Sequence, residues 1–180
     1  MRRFCLLLLL LSLSFVPLCT ACGTSVPPPA ASEVLTVLLG EMEATAQPLP
    51  DGVIRLTAAP EDSPDRLTAV FFSALYGEAA RGLLGEGGVS PPPVQDAALF
   101  LAVSPYPCEL GVFRCVDEAT ARELAALCRG RLDTLARGFA GGEHEAAASG
   151  GRVMVAGNWV VLALCEDPAT VLEAARAFLR

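Results

Sequence analysis

Lysine is absent from this chain, and its 180 residues hold one histidine, one tryptophan and two tyrosines. The cations are therefore arginines, 13 of them against 20 acidic residues, for a formal net charge of −7. No basic cluster forms, and phosphate neutralisation needs grouped cations, so nucleic acid is excluded as a partner. The cysteine spacings match no metal or redox motif. Gly82, Gly85, Gly87 and Gly88 are not followed by Gly-Lys-Ser/Thr, which excludes a phosphate loop. Glu61, Asp62 and Asp65 lack the EF-hand pattern and are expected to serve a helix cap and to be solvated. No apolar run reaches the ~20 residues that span a bilayer. The longest, Phe4 to Val16, is broken by Pro17.

That short run has its own meaning. Arg2 and Arg3 precede it, and Leu18-Cys19-Thr20-Ala21-Cys22 follows. A charged start, an apolar middle and small residues before a cleavage point make a secretory signal. The cysteine after Thr20-Ala21 resembles the lipobox of bacterial lipoproteins, in which the thiol carries a diacylglycerol and becomes the mature N-terminus. Cys22 is the better acceptor, because Cys19 follows the stiff, bulky Pro17-Leu18. The chain departs from the usual pattern in having Cys19, not leucine, three positions before Cys22. Acyl burial contributes ~0.8 kcal/mol per methylene and stable anchoring takes two chains, both of which one diacylglyceryl cysteine supplies. The reading gives a signal peptide at 1–21, a Pro-rich tether at 22–31 and one domain at 32–180. It places the domain on the extracytoplasmic face of the cell membrane, with the membrane itself as a partner through Cys22.

The mature chain of about 160 residues suffices for one core. Four of its cysteines, Cys108, Cys115, Cys128 and Cys165, could form two disulfides by any of three pairings or remain buried thiols. A helix is expected from Ser32, with Val34, Leu35, Leu38 and Met42 as its apolar stripe. Pro48 and Pro50 end it, and Val53 to Thr57 is a possible short strand. Ser63-Pro64-Asp65 predicts a second helix start, with Leu67, Val70, Phe71, Ala74 and Leu75 along the helix to Gly77. Glu78 to Pro93 is Gly- and then Pro-rich and predicts a surface loop.

The second half predicts strands at Ala97 to Val103 and Glu109 to Val116. A long helix follows, capped by Asp117, with Ala121, Leu124, Cys128, Leu135 and Phe139 inward. After a Gly/Ala loop, a hairpin joins Arg152–Ala156 to Trp159–Cys165 about Gly157-Asn158. A last helix from Asp167-Pro168 buries Val171, Leu172, Ala175, Phe178 and Leu179. Two of the strands are apolar on both alternations, whereas a strand wet on one side alternates. The expected fold is thus a single α+β domain. It has a four-stranded mixed or antiparallel sheet in ββαββα order, with the two C-terminal helices on one face and the two N-terminal helices on the other.

Leu75-Tyr76-Gly77, Glu109-Leu110-Gly111-Val112-Phe113-Arg114 and Gly157-Asn158-Trp159-Val160-Val161-Leu162 resemble segments of small lipoproteins grouped as domain-of-unknown-function family 4358. The lipobox, the helix between the strand pairs and the last helix fall in matching order. The resemblance implies an extracytoplasmic lipoprotein with no established activity. It also implies a setting beside membrane-bound O-acyltransferases of envelope polysaccharides.

No catalytic constellation stands out. His144 in Glu143-His144-Glu145 lies in a Gly/Ala loop, and consecutive residues rarely converge on one metal ion. Cys108 is the one cysteine placed to pair with His144 as a nucleophile. Trp159 reads as hairpin packing. The expectation is a non-catalytic, lipid-anchored binding or scaffolding protein without cofactor or metal, working with an envelope protein partner. The alternatives are an enzyme using Cys108 and His144, or a small-ligand-binding lipoprotein with a cleft lined by Arg114, Arg152 or Trp159.

Overall fold

The computed structural model describes residues 27–85, 90–103 and 105–180. The expected signal peptide, Cys19, Cys22 and the first half of the expected tether (22–26) lie outside the described residues. The elements run α1 (Ala31–Ala44), β1 (Gly52–Leu56), α2 (Ala69–Tyr76), a 3-10 helix (Glu78–Leu84), β2 (Val94–Ala102) and β3 (Glu109–Cys115). They continue as α3 (Glu118–Gly138), α4 (Glu145–Ser149), β4 (Arg152–Ala156), β5 (Trp159–Leu164) and α5 (Pro168–Phe178).

The fold is α+β, but its sheet has five strands rather than four, in the order β1-β2-β3-β5-β4 with every neighbouring pair antiparallel. The fifth is β1, at the edge beside β2, with Val53 opposite Leu101 and Leu56 opposite Ala98. Its outer side is occupied at Leu56. The Leu56 N–H donates to the Asp65 carbonyl (2.8 Å), and the Leu67 N–H donates to the Leu56 carbonyl (2.9 Å). Arg66 adds hydrogen bonds to the carbonyls of Thr57 and Ala59. An uncovered strand edge invites pairing with other chains, and this segment covers the Leu56 end of it.

That closure overturns the helix start at Ser63-Pro64-Asp65. Residues 65–67 extend alongside β1, and α2 begins only at Ala69, where the Thr68 hydroxyl accepts the Phe71 N–H (3.2 Å). The inward face shifts accordingly. Phe72 and Tyr76, one turn apart, are buried, while Val70 is 60% exposed. Likewise Glu78–Leu84 is a 3-10 helix that buries Ala80 and Leu83, not a surface loop. At the far end Phe178, expected inward, is exposed: it continues the Val171, Leu172 and Ala175 stripe but falls on the last residue of α5.

The helices sort differently from expectation. One N-terminal and one C-terminal helix share each face of the sheet. α1 and α5 cover Ala98, Leu110, Val112, Val161 and Ala163. α2, the 3-10 helix and α3 cover Leu99, Phe113, Val160, Leu162 and Leu164. The reason is the crossover. β3 and β4 are both antiparallel to β5, so they are parallel to each other, and α3 must carry the chain past β5 on one side of the sheet. With 21 residues, α3 runs about 31 Å and fills that side. The chain leaving β5 finds only the other face uncovered, and α5 packs there beside α1.

The start of α1 is also set by tertiary contact. Ala30, not Ser32, occupies the cap position. Its N–H donates to Glu33 Oε2 (3.0 Å). The Ala31 N–H donates to Asp96 Oδ2 on β2 (2.8 Å), and Asp96 Oδ1 accepts the Thr57 hydroxyl (3.1 Å). One carboxylate thus ties the first turn of α1, the end of β1 and β2 together. Asp96→Ala should lower stability by about 2 kcal/mol, since bonds to a charged group contribute more than neutral ones. Urea denaturation measures the loss, and amide exchange should quicken first at Ala31 to Val34.

Candidate functional site

Glu109 is the one charged residue in the buried core among the described residues, at 3% exposure. It opens β3, and the alternation it shares with Gly111 and Phe113 sends its side chain to the α2/α3 face. In register it lies between Leu101 of β2 and Leu164 of β5. A carboxylate here cannot keep water, so partners must replace it. Tyr76 donates its hydroxyl to Oε1 (3.0 Å). Arg131 donates Nε (3.1 Å) and Nη2 (3.0 Å), both to Oε2.

Packing holds each partner in place. The Tyr76 ring lies 4.8 Å from Phe72 and meets Phe113 edge-on at 5.8 Å between centroids. Phe113 in turn folds back over Gly111, where a Cβ would come within 2.8 Å of the ring. Arg131 sits one helical turn beyond Cys128 and Leu127, with its side chain 21% exposed. Its guanidinium is turned inward onto the buried Glu109 carboxylate. Burial pushes the Glu109 carboxyl above its ordinary range; Arg131 and the Tyr76 hydrogen bond pull the other way without cancelling it. Burial first, and then the Glu109 charge, hold the Tyr76 hydroxyl well above its usual value.

Beside this trio lies a cavity of about 280 Å³ walled by Leu75, Leu101, Cys108, Leu135 and Phe139, with Glu109 and Arg131 at its polar end. A larger and more polar groove of about 460 Å³ runs past Thr57, Arg66, Thr68, Asp96 and Arg114. The Arg114 Nε there is buried and has no hydrogen-bond partner among the described residues.

The residues singled out in the sequence do not converge. Arg114 faces Trp159 across the β3–β5 ladder, but Arg152 is at the other end of β4, opposite Ala163. Trp159 packs under α1 and α5 at 7% exposure. His144 precedes α4 and places its ring edge-on to Tyr106, 5.1 Å between centroids. Cys108 is 4% exposed, and burial pushes its free thiol up to about 12, so whenever it is reduced it is protonated at neutral pH. Glu61, Asp62 and Asp65 are exposed, and no group of three metal-ligating side chains occurs among the described residues. Glu109 and Arg131 carry no sequence motif. The one available signal was a glutamate at the head of a strand whose next four residues are Leu110-Gly111-Val112-Phe113. Comparison of the chain with protein-family models, curated proteins and solved structures finds no match.

The trio makes a fixed charge pair with a hydroxyl donor, a device for joining helices to a sheet. Arg131→Met leaves a buried carboxylate unpaired and should destabilise the domain by about 3 kcal/mol. The pH dependence follows from the direction of the shift. A carboxyl raised in the folded state binds more protons there than in the unfolded chain, so its contribution is full at low pH and falls as pH rises through the folded pKa. Removing Arg131 raises that pKa further. Denaturation midpoints of Arg131→Met should therefore keep falling to higher pH than those of the wild type. Glu109→Gln, combined with Arg131→Met, should abolish the extra slope.

Proposed function

We propose that this chain is a lipid-anchored protein on the extracytoplasmic face of the cell membrane, whose domain binds or scaffolds an envelope partner and does no catalysis. The observation that carries the reading is Cys22 directly after Thr20-Ala21, at the end of an apolar run too short to span a bilayer. Two acyl chains on one cysteine hold the domain in a thin layer, and confinement raises its effective concentration towards membrane partners.

The resemblance to domain-of-unknown-function family 4358 supports the same reading and links it to envelope polysaccharide modification. Tyr76 and Glu109 come from two of the resembling segments, and they meet in one hydrogen bond. A non-catalytic role is supported by where the ionisable groups are spent. Glu109 and Arg131 satisfy each other, and the four described cysteines are buried. An enzyme using Cys108 and His144 has less support, because the thiol is sheltered and protonated and the imidazole packs on Tyr106.

A second reading, small-ligand binding, is favoured by the cavity beside Arg131, where a half-sheltered guanidinium meets apolar walls. Native mass spectrometry of protein extracted from membranes tests it. A bound small molecule that vanishes in Leu135→Trp would establish that reading. For the anchor, the wild type should stay with membranes through a high-salt wash, and Cys22→Ala should appear in the soluble fraction. In-cell crosslinking should capture a stoichiometric envelope protein with the wild type and lose it with Cys22→Ala. Retention of Cys22→Ala in membranes would sink the tethering reading.

A further inference from the structure

We propose that Cys108 and Cys165 are a disulfide pair, closing the open end of the β3–β5 ladder. The ladder's last recorded partners are Glu109 and Leu164, and one more step of the same register sets Cys108 opposite Cys165. Backbone direction fixes the kind of position. The Cys108 carbonyl accepts the Ala102 N–H on the β2 side (3.0 Å), so its polar backbone groups face away from β5. From the other end, the Cys115 N–H donates to the Asn158 carbonyl of the β5 hairpin (2.8 Å). Counting back seven residues gives Cys108 the opposite orientation. Both observations place Cys108 and Cys165 at a non-hydrogen-bonded pair, where facing Cα atoms lie ~4.5 Å apart and side chains approach closely. Disulfides span Cα separations of about 4.4–6.8 Å.

The side chains also share a face. Cys108 and Cys165 both belong to the core under α1 and α5. Cys115 and Cys128 belong to the core under α2 and α3. The sheet stands between these two sets, so pairing Cys108 or Cys165 with either of the others would require a bond through it. Of the three pairings that four cysteines allow, the fold leaves one that is compatible with a bond at Cys108.

In the structure Cys108 and Cys165 are both free thiols and both are buried, so the bond would form while the chain folds. One thiolate attacks a protein disulfide of the donor class that oxidises secreted proteins. The mixed disulfide is then resolved by the second thiolate, and the donor leaves as its dithiol with both electrons and both protons. The bond would fasten the Tyr106–Pro107 wall of the cavity to the segment leading into α5. This inference rests on the extracytoplasmic reading for its oxidant, but its geometry does not.

The experiment uses the full-length chain. It is trapped with an alkylating reagent in cells, purified from membranes, proteolysed without reductant and mapped by mass spectrometry. In parallel, the reduced chain is refolded in a glutathione redox buffer and mapped in the same way. The expected result is one linked peptide pair joining Cys108 to Cys165, with Cys115 and Cys128 alkylated after unfolding. Reduction should lower Tm by on the order of 5–10 °C. The double variant Cys115→Ala/Cys128→Ala should keep the link, and Cys108→Ala should leave Cys165 free to alkylate. Alkylation of both Cys108 and Cys165 in the refolded protein, or a link from either to Cys115 or Cys128, overturns the pairing. A link that forms on refolding but is missing from cells upholds the pairing and counts against the extracytoplasmic location.

Discussion

β3 and β5 carry apolar side chains on both alternations, so the middle of the sheet has no face that it can show to water. In β5 all six residues are buried. Burial of each large side chain is worth ~1.5–3 kcal/mol, and leaving either face bare would forfeit several such terms. Helices must therefore cover both sides, and the crossover through α3 decides which helix goes where. The edge strands face a weaker demand. β1 and β4 are each partly exposed along their length, and β1 is paired on its outer side at Leu56 by two backbone bonds with Asp65 and Leu67.

Within this apolar frame Glu109 is the exception that had to be answered. Its carboxylate draws Tyr76 from the end of α2 and Arg131 from the middle of α3 to a single point at the head of β3. A buried ion pair is poor evidence of added stability, because desolvation offsets the attraction. Its effect is to specify geometry. Helix α2 is only eight residues long, and a hydrogen bond from its last residue fixes where it stops. Asp96 does the same on the other face, holding the first turn of α1 against β2. Two carboxylates, one per face, thus set the positions of helices whose apolar stripes alone would permit some sliding.

The strand pairs, the long helix and the last helix were legible because their signals are local. Asp117 and Asp167 cap helices in the structure as their sequence contexts suggest, and Gly157 turns the β4–β5 hairpin at φ 58°. The reading failed where local preference met a tertiary competitor. Ser63-Pro64-Asp65 is a sound helix start by itself, but the free edge of β1 offers that segment backbone bonds that a helix does not. Ser32 is a sound cap, but Asp96 is available one residue earlier. The candidate site was nearly invisible, because Glu109, Tyr76 and Arg131 lie far apart in the chain and share no pattern.

By itself the sequence determined the signal-like start ending at Cys22, the α+β class, and the two-sided burial of the strands, since all three follow from short-range composition and alternation. Only the tertiary structure decided that the short strand at β1 joins the sheet, the sharing of each face between an early and a late helix, the Tyr76–Glu109–Arg131 contact, and which cysteines share a core. These depend on register and on which side of the sheet a crossover takes, and both are settled by contacts between residues that are distant in the chain.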